Sequence, residues 1–435
     1  MRRAAAERKQ LLLDRATATL RSMGPTASLP GRALWVPGRI EFLGKHTDYA
    51  GGRSLLCAAE RGIALVWRPR LDGHVRVADA VRSEQAESTY ALTAETEPGH
   101  WSNYPFTVMR RIRRNFSDPL VGADIAFASD LPPAAGMSSS SALIVGMFLA
   151  LADVSGLAER EEYRTDLLDR ADLAGYLGTV ENGQPFRGMT GDSGVGTFGG
   201  SEDQTAILCS RPGMLVQYAF APVRFERAVP LPHDHLLVIA SSGVAAEKSG
   251  AARELYNGAS LAVQRMLDLW SANTGQRAAT LGVLLESAPH AAADLAAMLR
   301  SEAETSRGAG GLPARLEQFI TESGELVPSA ADALEAGDLR QLGVIVDRSQ
   351  AAAEALLGNQ LPETSYLARS ARELGAVAAS AFGAGYGGSV WALVVSDGRE
   401  EFISRWERGY AHRFPERAQG AEMFTTAAGP PSMRL

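Results

Sequence analysis

The hydrophobic pattern switches between strand-like and helical spacing as the chain proceeds. The opening stretch, MRRAAAERKQLLLDRATATL, predicts a short amphipathic helix. In RALWVPGRIEFLG, the segments ALWV and RIEFLG predict two strands parted by a turn at Pro37-Gly38. Ser54–Val66 and His74–Val77 predict further strands, followed by a polar meander to His100. Trp101–Phe116 predicts a helix and Ala123–Ala128 a strand. SALIVGMFLALADV then predicts an apolar helix, and Glu159–Thr179 a charged amphipathic one. Seven glycines crowd Gly183 to Gly200 before strands return from Met214 to Ala240. Helices are expected at 245–273, 280–285, 291–300, 312–321, 330–335 and 339–357. The expectation is an α+β fold of two lobes, with a helical extension at 1–30, a first lobe at 31–210 and a second at 211–435.

Composition narrows the class. The 435 residues are 46% hydrophobic and 21% charged, as in globular proteins rather than disordered ones. Net charge is −7, and the one basic cluster, Arg110–Arg114 (RRIRR), is broken by Ile112. It suits the polar face of a helix, so nucleic acid is not expected as partner. Cys57 and Cys209 are too few for a disulfide framework or a structural zinc site. A reduced, cytoplasmic setting is expected, with no signal core at the N-terminus and no apolar run long enough for a membrane.

Candidate chemistry gathers at four places. LPPAAGMSSSSAL, Leu131–Leu143, runs from a Pro turn through Gly136 into a serine-rich helix start. A first helical turn carries unpaired N–H groups and the positive end of the dipole, so the stretch suits either a capped helix or a phosphate cradle. GKHTDYAGG, Gly44–Gly52, sets Lys, His, Asp and Tyr on a glycine-bounded loop. Glu202, Asp203 and Gln204 end the glycine-rich stretch and place carboxylates at the rim of an ordered element, where one can serve as a base. GAGYGG, Gly383–Gly388, has the G-x-G-x-x-G spacing. An Ala-rich helix is expected before it and the strand SVWALVV after it, the reverse of a dinucleotide fold. GRIEFLGKH is no Walker A loop either, having five residues between its glycines and His46 where Ser or Thr is needed.

Taken in order, these stretches resemble the galactokinases of the GHMP kinase superfamily. PGRIEFLGKHTDYAGG is similar to that family's signature PGRVNLIGEHTDYxxG, and PPAAGMSSSSAL to its PxxxGLSSSAS phosphate motif. GGSEDQ resembles GxMDQ, GAGYGG resembles its GAGxGG motif, and ASSGVAAEKSGAARELYN the region ending in Tyr-Asn. The resemblance implies ATP and a small-molecule sugar in a cleft between lobes, and phosphoryl transfer to the anomeric hydroxyl of galactose. It implies Arg39 and Asp203 as catalytic residues, and Ser140 and Glu181 as ligands of Mg2+. Lys45, His46, Asp48, Gly200 and Tyr256 fall at sugar positions, and Gly136, Met137, Ser138, Ser139, Ser140 and Ser141 at ATP positions. A monomer or small homo-oligomer is expected.

Three departures bear on the substrate. Lys45 stands where the family has a glutamate contacting the C6 hydroxyl, Glu41 where it has asparagine, and Glu202 where it has methionine. Lys45 either pairs internally, with Glu41 or Glu202, or turns the site toward a C6 acid such as galacturonate. A third reading is a sugar- and ATP-sensing regulator without turnover, against which the complete set Arg39, Ser140, Glu181 and Asp203 argues.

Overall fold

In the computed structural model, residues 2–24, 32–90, 100–245, 250–288, 290–305 and 311–435 are described. Twelve strands are described: β1 (Arg32–Leu43), β2 (Arg53–Arg70), β3 (His74–Asp79), β4 (Glu84–Thr89), β5 (Gly122–Ser129), β6 (Met214–Ala219), β7 (Arg224–Pro230), β8 (His235–Ser241), β9 (Ala378–Phe382), β10 (Ser389–Val395), β11 (Glu422–Thr426) and β12 (Met433–Arg434). One sheet has the order β12-β1-β2-β5-β3-β4, with β6 on β2 and β7 on β6; the other is β11-β8-β10-β9. The first sheet thus takes in strands well beyond residue 210.

Period-two alternation explains the layers. Leu34, Val36, Ile63, Leu65, Ile125 and Phe127 point into the main core with the helix α3 defined below. Their neighbours Trp35, Ala64, Val66, Ala126 and Ala128 point the other way, onto Leu12, Ala16 and Leu20 of α1 (Arg2–Ser22). The N-terminal helix is therefore a cover for the first sheet. Four helices complete this part: α2 (Asn103–Asn115), α3 (Ser139–Ser155), α4 (Glu161–Asp166) and α5 (Arg170–Asn182), with α6 (Glu202–Cys209) following the glycine-rich segment. In the second sheet, Val238, Val390 and Ala392 pack under Leu367, Trp406 and Tyr410 of two covering helices. The sheets meet where Phe42 stacks on Trp391 at 4.0 Å.

Several expectations need correction. Pro37-Gly38 does not turn the chain: β1 is continuous, and the register slips between Pro37 and Arg39, with the extra length on β2. The helix expected over 159–179 is two, because the Asp169 carboxylate accepts from Asp172 N at 2.8 Å and caps a new start. The Ala-rich stretch before GAGYGG is strand β9, so that motif joins the antiparallel pair β9–β10. The polar meander contains β4, and its residues 91–99 lie outside the described residues. So do 246–249, at the head of α7 (Gly250–Thr274). Later come α8 (Leu281–Ser287), α9 (Ala291–Thr305), α10 (Gly311–Phe319), α11 (Val327–Ala336), α12 (Leu339–Ala352), α13 (Pro362–Glu373) and α14 (Arg399–Arg413). A π-helical turn, Ile320–Leu326, joins α10 to α11 and carries the buried Glu322.

Candidate active site

The loop from β1 to β2 is anchored by its own backbone and by the second lobe. Thr47 Oγ1 lies 2.8 Å from the carbonyls of Gly44 and Arg53, and Arg315 donates to His46 O at 2.6 Å. His46 is held at both ring nitrogens, by Tyr49 Oη at 2.8 Å and Ala384 O at 3.0 Å. A carbonyl only accepts, so Nε2 carries the proton and Nδ1 accepts from Tyr49. Burial lowers the His46 pKa to about 4, despite its bond to Ala384 O; nearby Arg315 and Arg39 push the same way. The ring is neutral. Burial raises the pKa of Asp48, while its Oδ2 accepts from Glu202 N at 3.1 Å. Gly200 makes this close approach possible, since a Cβ there would stand 2.5 Å from that same oxygen.

Arg39, also on β1, reaches the start of α6. Its Nε donates to Asp203 Oδ1 at 2.7 Å and lies 3.5 Å from Glu202 Oε1, while Nη1 donates to Gly136 O at 2.6 Å. Asp203, Glu202 and Glu41 together hold the guanidinium charged against its burial, well above the ordinary arginine range. Asp203 Oδ2 is 3.1 Å from Ser141 Oγ, which is 2.7 Å from Glu181 Oε2; Gln204 Nε2 donates to that oxygen at 2.7 Å. Ser141, expected at ATP, instead turns its hydroxyl to these carboxylates.

The serine stretch starts α3 at Ser139, after Ser138 in the left-handed region at φ 59°. Gly136, Met137, Ser138, Ser139 and Ser140 line a cavity of about 550 Å³ with Trp101, Tyr104 and Phe127. The buried Ser138 Oγ has no hydrogen-bond partner among the described residues. A second cavity is lined by His46, Asp48, Tyr256, Gly200, Glu181, Glu41 and Glu202. Arg39, Asp203 and Ala384 belong to both walls. The two cavities therefore meet at the Arg39–Asp203 pair.

Lys45, like Ser141, is an expected residue that falls outside. It lines neither cavity, is 1% exposed, and donates from Nζ to Ser349 Oγ at 3.0 Å. Neither expected partner, Glu41 nor Glu202, receives it. Ser349 Oγ donates in turn to Glu322 Oε1 at 3.0 Å, so the buried carboxylate of the π-helical turn anchors the chain of bonds that holds Lys45 away from both cavities. Sequence reasoning missed Trp101 and Tyr104, although two aromatics at the head of a polar-faced helix were a usable signal. It had none for Arg315 and Glu322, which reach the site from more than 260 residues away.

Comparison with known proteins agrees with this geometry. Residues 29–69 match the galactokinase galactose-binding signature, 103–185 the GHMP kinases N terminal domain and 330–412 the GHMP kinases C terminal. A galactokinase of Roseiflexus sp. is 29% identical over 369 residues, 84% of either chain. One of Streptomyces coelicolor is 28% identical over 388 residues, 87% of this chain and 88% of its own. The fold matches Lactococcus lactis galactokinase complexed with galactose at TM-score 0.78 and 22% identity, covering 97% of this chain and 98% of that one. A mevalonate kinase matches at TM-score 0.53 and 12% identity over 91% of this chain and 98% of its own. With three family models in chain order and galactokinases matching across most of its length, the chain is similar to the galactokinases of the GHMP kinases.

Proposed function

We propose that the protein transfers the γ-phosphoryl group of ATP to the anomeric hydroxyl of galactose. The observation that carries this reading is the placement of Arg39 and Asp203 in the wall shared by a cavity lined by polar side chains and another at a helix N-terminus. A sugar in the first and a triphosphate against Gly136–Ser140 in the second bring acceptor and donor together at that wall. Asp203 then orients the attacking hydroxyl and takes its proton as the new O–P bond forms and the bond from the γ-phosphorus to the leaving ADP breaks. Arg39, permanently charged, offsets the negative charge on the transferring group. Asp48, His46 and Tyr256 position the sugar, with neutral His46 kept in one tautomer by Tyr49 and Ala384.

Ser140 and Glu181 offer hard oxygen donors suited to Mg2+, and Glu181 already sits among neutral donors, Ser141 and Gln204. No group of three or more His, Cys, Asp or Glu able to hold a metal occurs among the described residues, which fits an ion shared with phosphates and water. When bound, Mg2+ neutralises charge on the β- and γ-phosphates. Trp101 and Tyr104, which line the same cavity as Gly136–Ser140, suit the adenine ring.

The galacturonate reading loses its support, because Lys45 is turned to Ser349 and the sugar cavity is acidic. The test is to incubate the protein with ATP, magnesium and either galactose or galacturonate, and follow the products by phosphorus NMR. Galactose 1-phosphate is expected. Binding of ATP and galactose without any phosphorylated sugar would replace the kinase by a sensor.

A further inference from the structure

The glycine-rich segment gives the sugar cavity part of its wall, with Thr197, Gly199 and Gly200. Gly199 and Gly200, with Asp48, Tyr49 and Asn182, also line a third cavity of about 510 Å³, bounded by Leu261, Gln264 and Leu267 of α7. At these two glycines the wall is one backbone thick, with open space on either side. Neither has room for a side chain: a Cβ on Gly199 would stand 2.6 Å from Tyr256 Oη, and one on Gly200 2.5 Å from Asp48 Oδ2. Glycine loses more conformational freedom on ordering than any other residue. Whatever fixes this stretch therefore fixes the sugar contacts beside it.

Two asparagine side chains tie it from outside, each using both ends of its amide. Asn182, the last residue of α5, donates from Nδ2 to Gly199 O at 2.7 Å and accepts from Gln184 N at 2.9 Å. Asn257, on α7, accepts from Phe198 N at 3.0 Å and donates from Nδ2 to Gly196 O at 3.1 Å. An amide offers a donor and an acceptor on one rigid plane, so Asn257 pairs with this backbone as a neighbouring strand would. Asn182 lines the sugar cavity itself, whereas Asn257 lines neither that cavity nor the nucleotide cavity. Its neighbour Tyr256 does line the sugar cavity, with its ring 5.4 Å from that of His46. One turn of α7 thus presents Tyr256 to the sugar and Asn257 to the wall.

We propose that Asn257 is a positioning residue of the sugar site: its amide sets the backbone at 196–198, and with it the Gly199–Gly200 wall against Tyr256 and Asp48, before the sugar arrives. This rests on the kinase reading of that cavity. Without the amide, the wall must be ordered by the sugar at the moment of binding, and the cost is taken from sugar affinity. Asp203 is held separately, by Arg39 at 2.7 Å and Ser141 at 3.1 Å, so the chemical step in the filled site is largely kept. The cavity at Gly136–Ser140 shares none of residues 196–200, so ATP binding is untouched.

Kinetics and hydrogen exchange on the full chain decide it, with Asn257→Leu, which removes both bonds, and Asn257→Asp, which keeps the acceptor and sets an oxygen against Gly196 O. In both, the KM for galactose should rise about tenfold or more, kcat should change less than about threefold, and the KM for ATP less than about twofold. The peptide spanning 196–200 should exchange faster in either free variant and regain wild-type protection when saturated with galactose; in the wild type, galactose should change it little. An unmoved KM for galactose in a folded Asn257→Leu overturns the proposal, and so does an equal rise for both substrates. If neither variant folds, the wild type decides: a wall protected only after galactose is added is not preset, which also overturns it. Galactose 1-phosphate formed by the wild type alongside such a failure leaves the kinase reading standing. No phosphorylated sugar from the wild type removes that reading and the proposal with it.

Discussion

Lys45 Nζ donates to Ser349 Oγ at 3.0 Å, and Ser349 donates onward to Glu322 Oε1 at 3.0 Å. The same carboxylate oxygen accepts from Gly44 N at 2.8 Å and Lys45 N at 3.3 Å. A buried acid in the π-helical turn thus ties down the first residues of the sugar loop, and Lys45 supplies the compensating charge.

Lys45→Met should therefore cost stability rather than change selectivity. Removing the ammonium takes a charged donor from the buried Ser349 hydroxyl and, one bond further on, from the surroundings of the Glu322 carboxylate, a loss of about 1 to 3 kcal/mol. Urea denaturation should show a loss of that order, with the kcat/KM ratio of galactose to galacturonate moved less than about threefold, under 1 kcal/mol. A tenfold change in that ratio with undiminished stability would mean that Lys45 reaches the sugar after all.

Asp203→Asn tests the chemical step. It keeps the shape of the Arg39 contact but removes the proton acceptor, a loss of about two to four orders of magnitude in kcat. On the proposed reading ATP is held mainly by Gly136–Ser140, so its dissociation constant should stay nearly unchanged. Wild-type turnover in this variant would take Asp203 out of the mechanism.

Much of this was legible in the chain, for reasons that differ between fold and site. Period-two alternation from Leu34 to Phe127 identified the strands, since one face of each is buried against α3 and the other against α1. Pro37-Gly38 misled because a bulge and a turn use the same residues, and only pairing with Gly62 tells them apart. The residues around the transfer point sit close to glycines and polar runs within a few positions, so Arg39, Asp48, Gly136 and Asp203 could be singled out. Side-chain direction could not. Lys45 and Ser141 both turn toward partners fixed by the tertiary fold: Glu322 lies 277 residues beyond Lys45, and Glu181 lies 40 beyond Ser141.

Trp101 offers a check on the nucleotide cavity. Its buried Nε1 has no partner among the described residues, and its ring lies 5.9 Å from that of Phe127. Stacking of a base on an aromatic ring contributes about 1 to 3 kcal/mol. Trp101→Ala should raise the KM for ATP about tenfold or more and leave the KM for the sugar within about twofold. An equal rise in both would show the residue to be structural.

The last expectation concerns acid stability, where two groups of the sugar site oppose each other. His46 has its pKa lowered from 6.5 to about 4. Between those values the unfolded chain binds a proton that the folded one refuses, so stability falls as pH falls, by about 1.4 kcal/mol per unit. Glu41 has its pKa raised from 4.5 to about 7. Between those values the folded chain binds a proton that the unfolded one does not, so stability rises as pH falls by a similar amount. The windows overlap from about 4.5 to 6.5, and there the two slopes nearly cancel in the wild type. Single substitutions unmask them. Relative to the wild type, His46→Gln should gain about 1.4 kcal/mol per unit as pH falls through that window, and Glu41→Gln should lose about as much. Urea denaturation of the three proteins at about pH 4.5, 5.5 and 6.5 reads both slopes. Should His46→Gln run parallel to the wild type, the folded protein already carries a charged His46, and the neutral ring assigned to the sugar site is wrong.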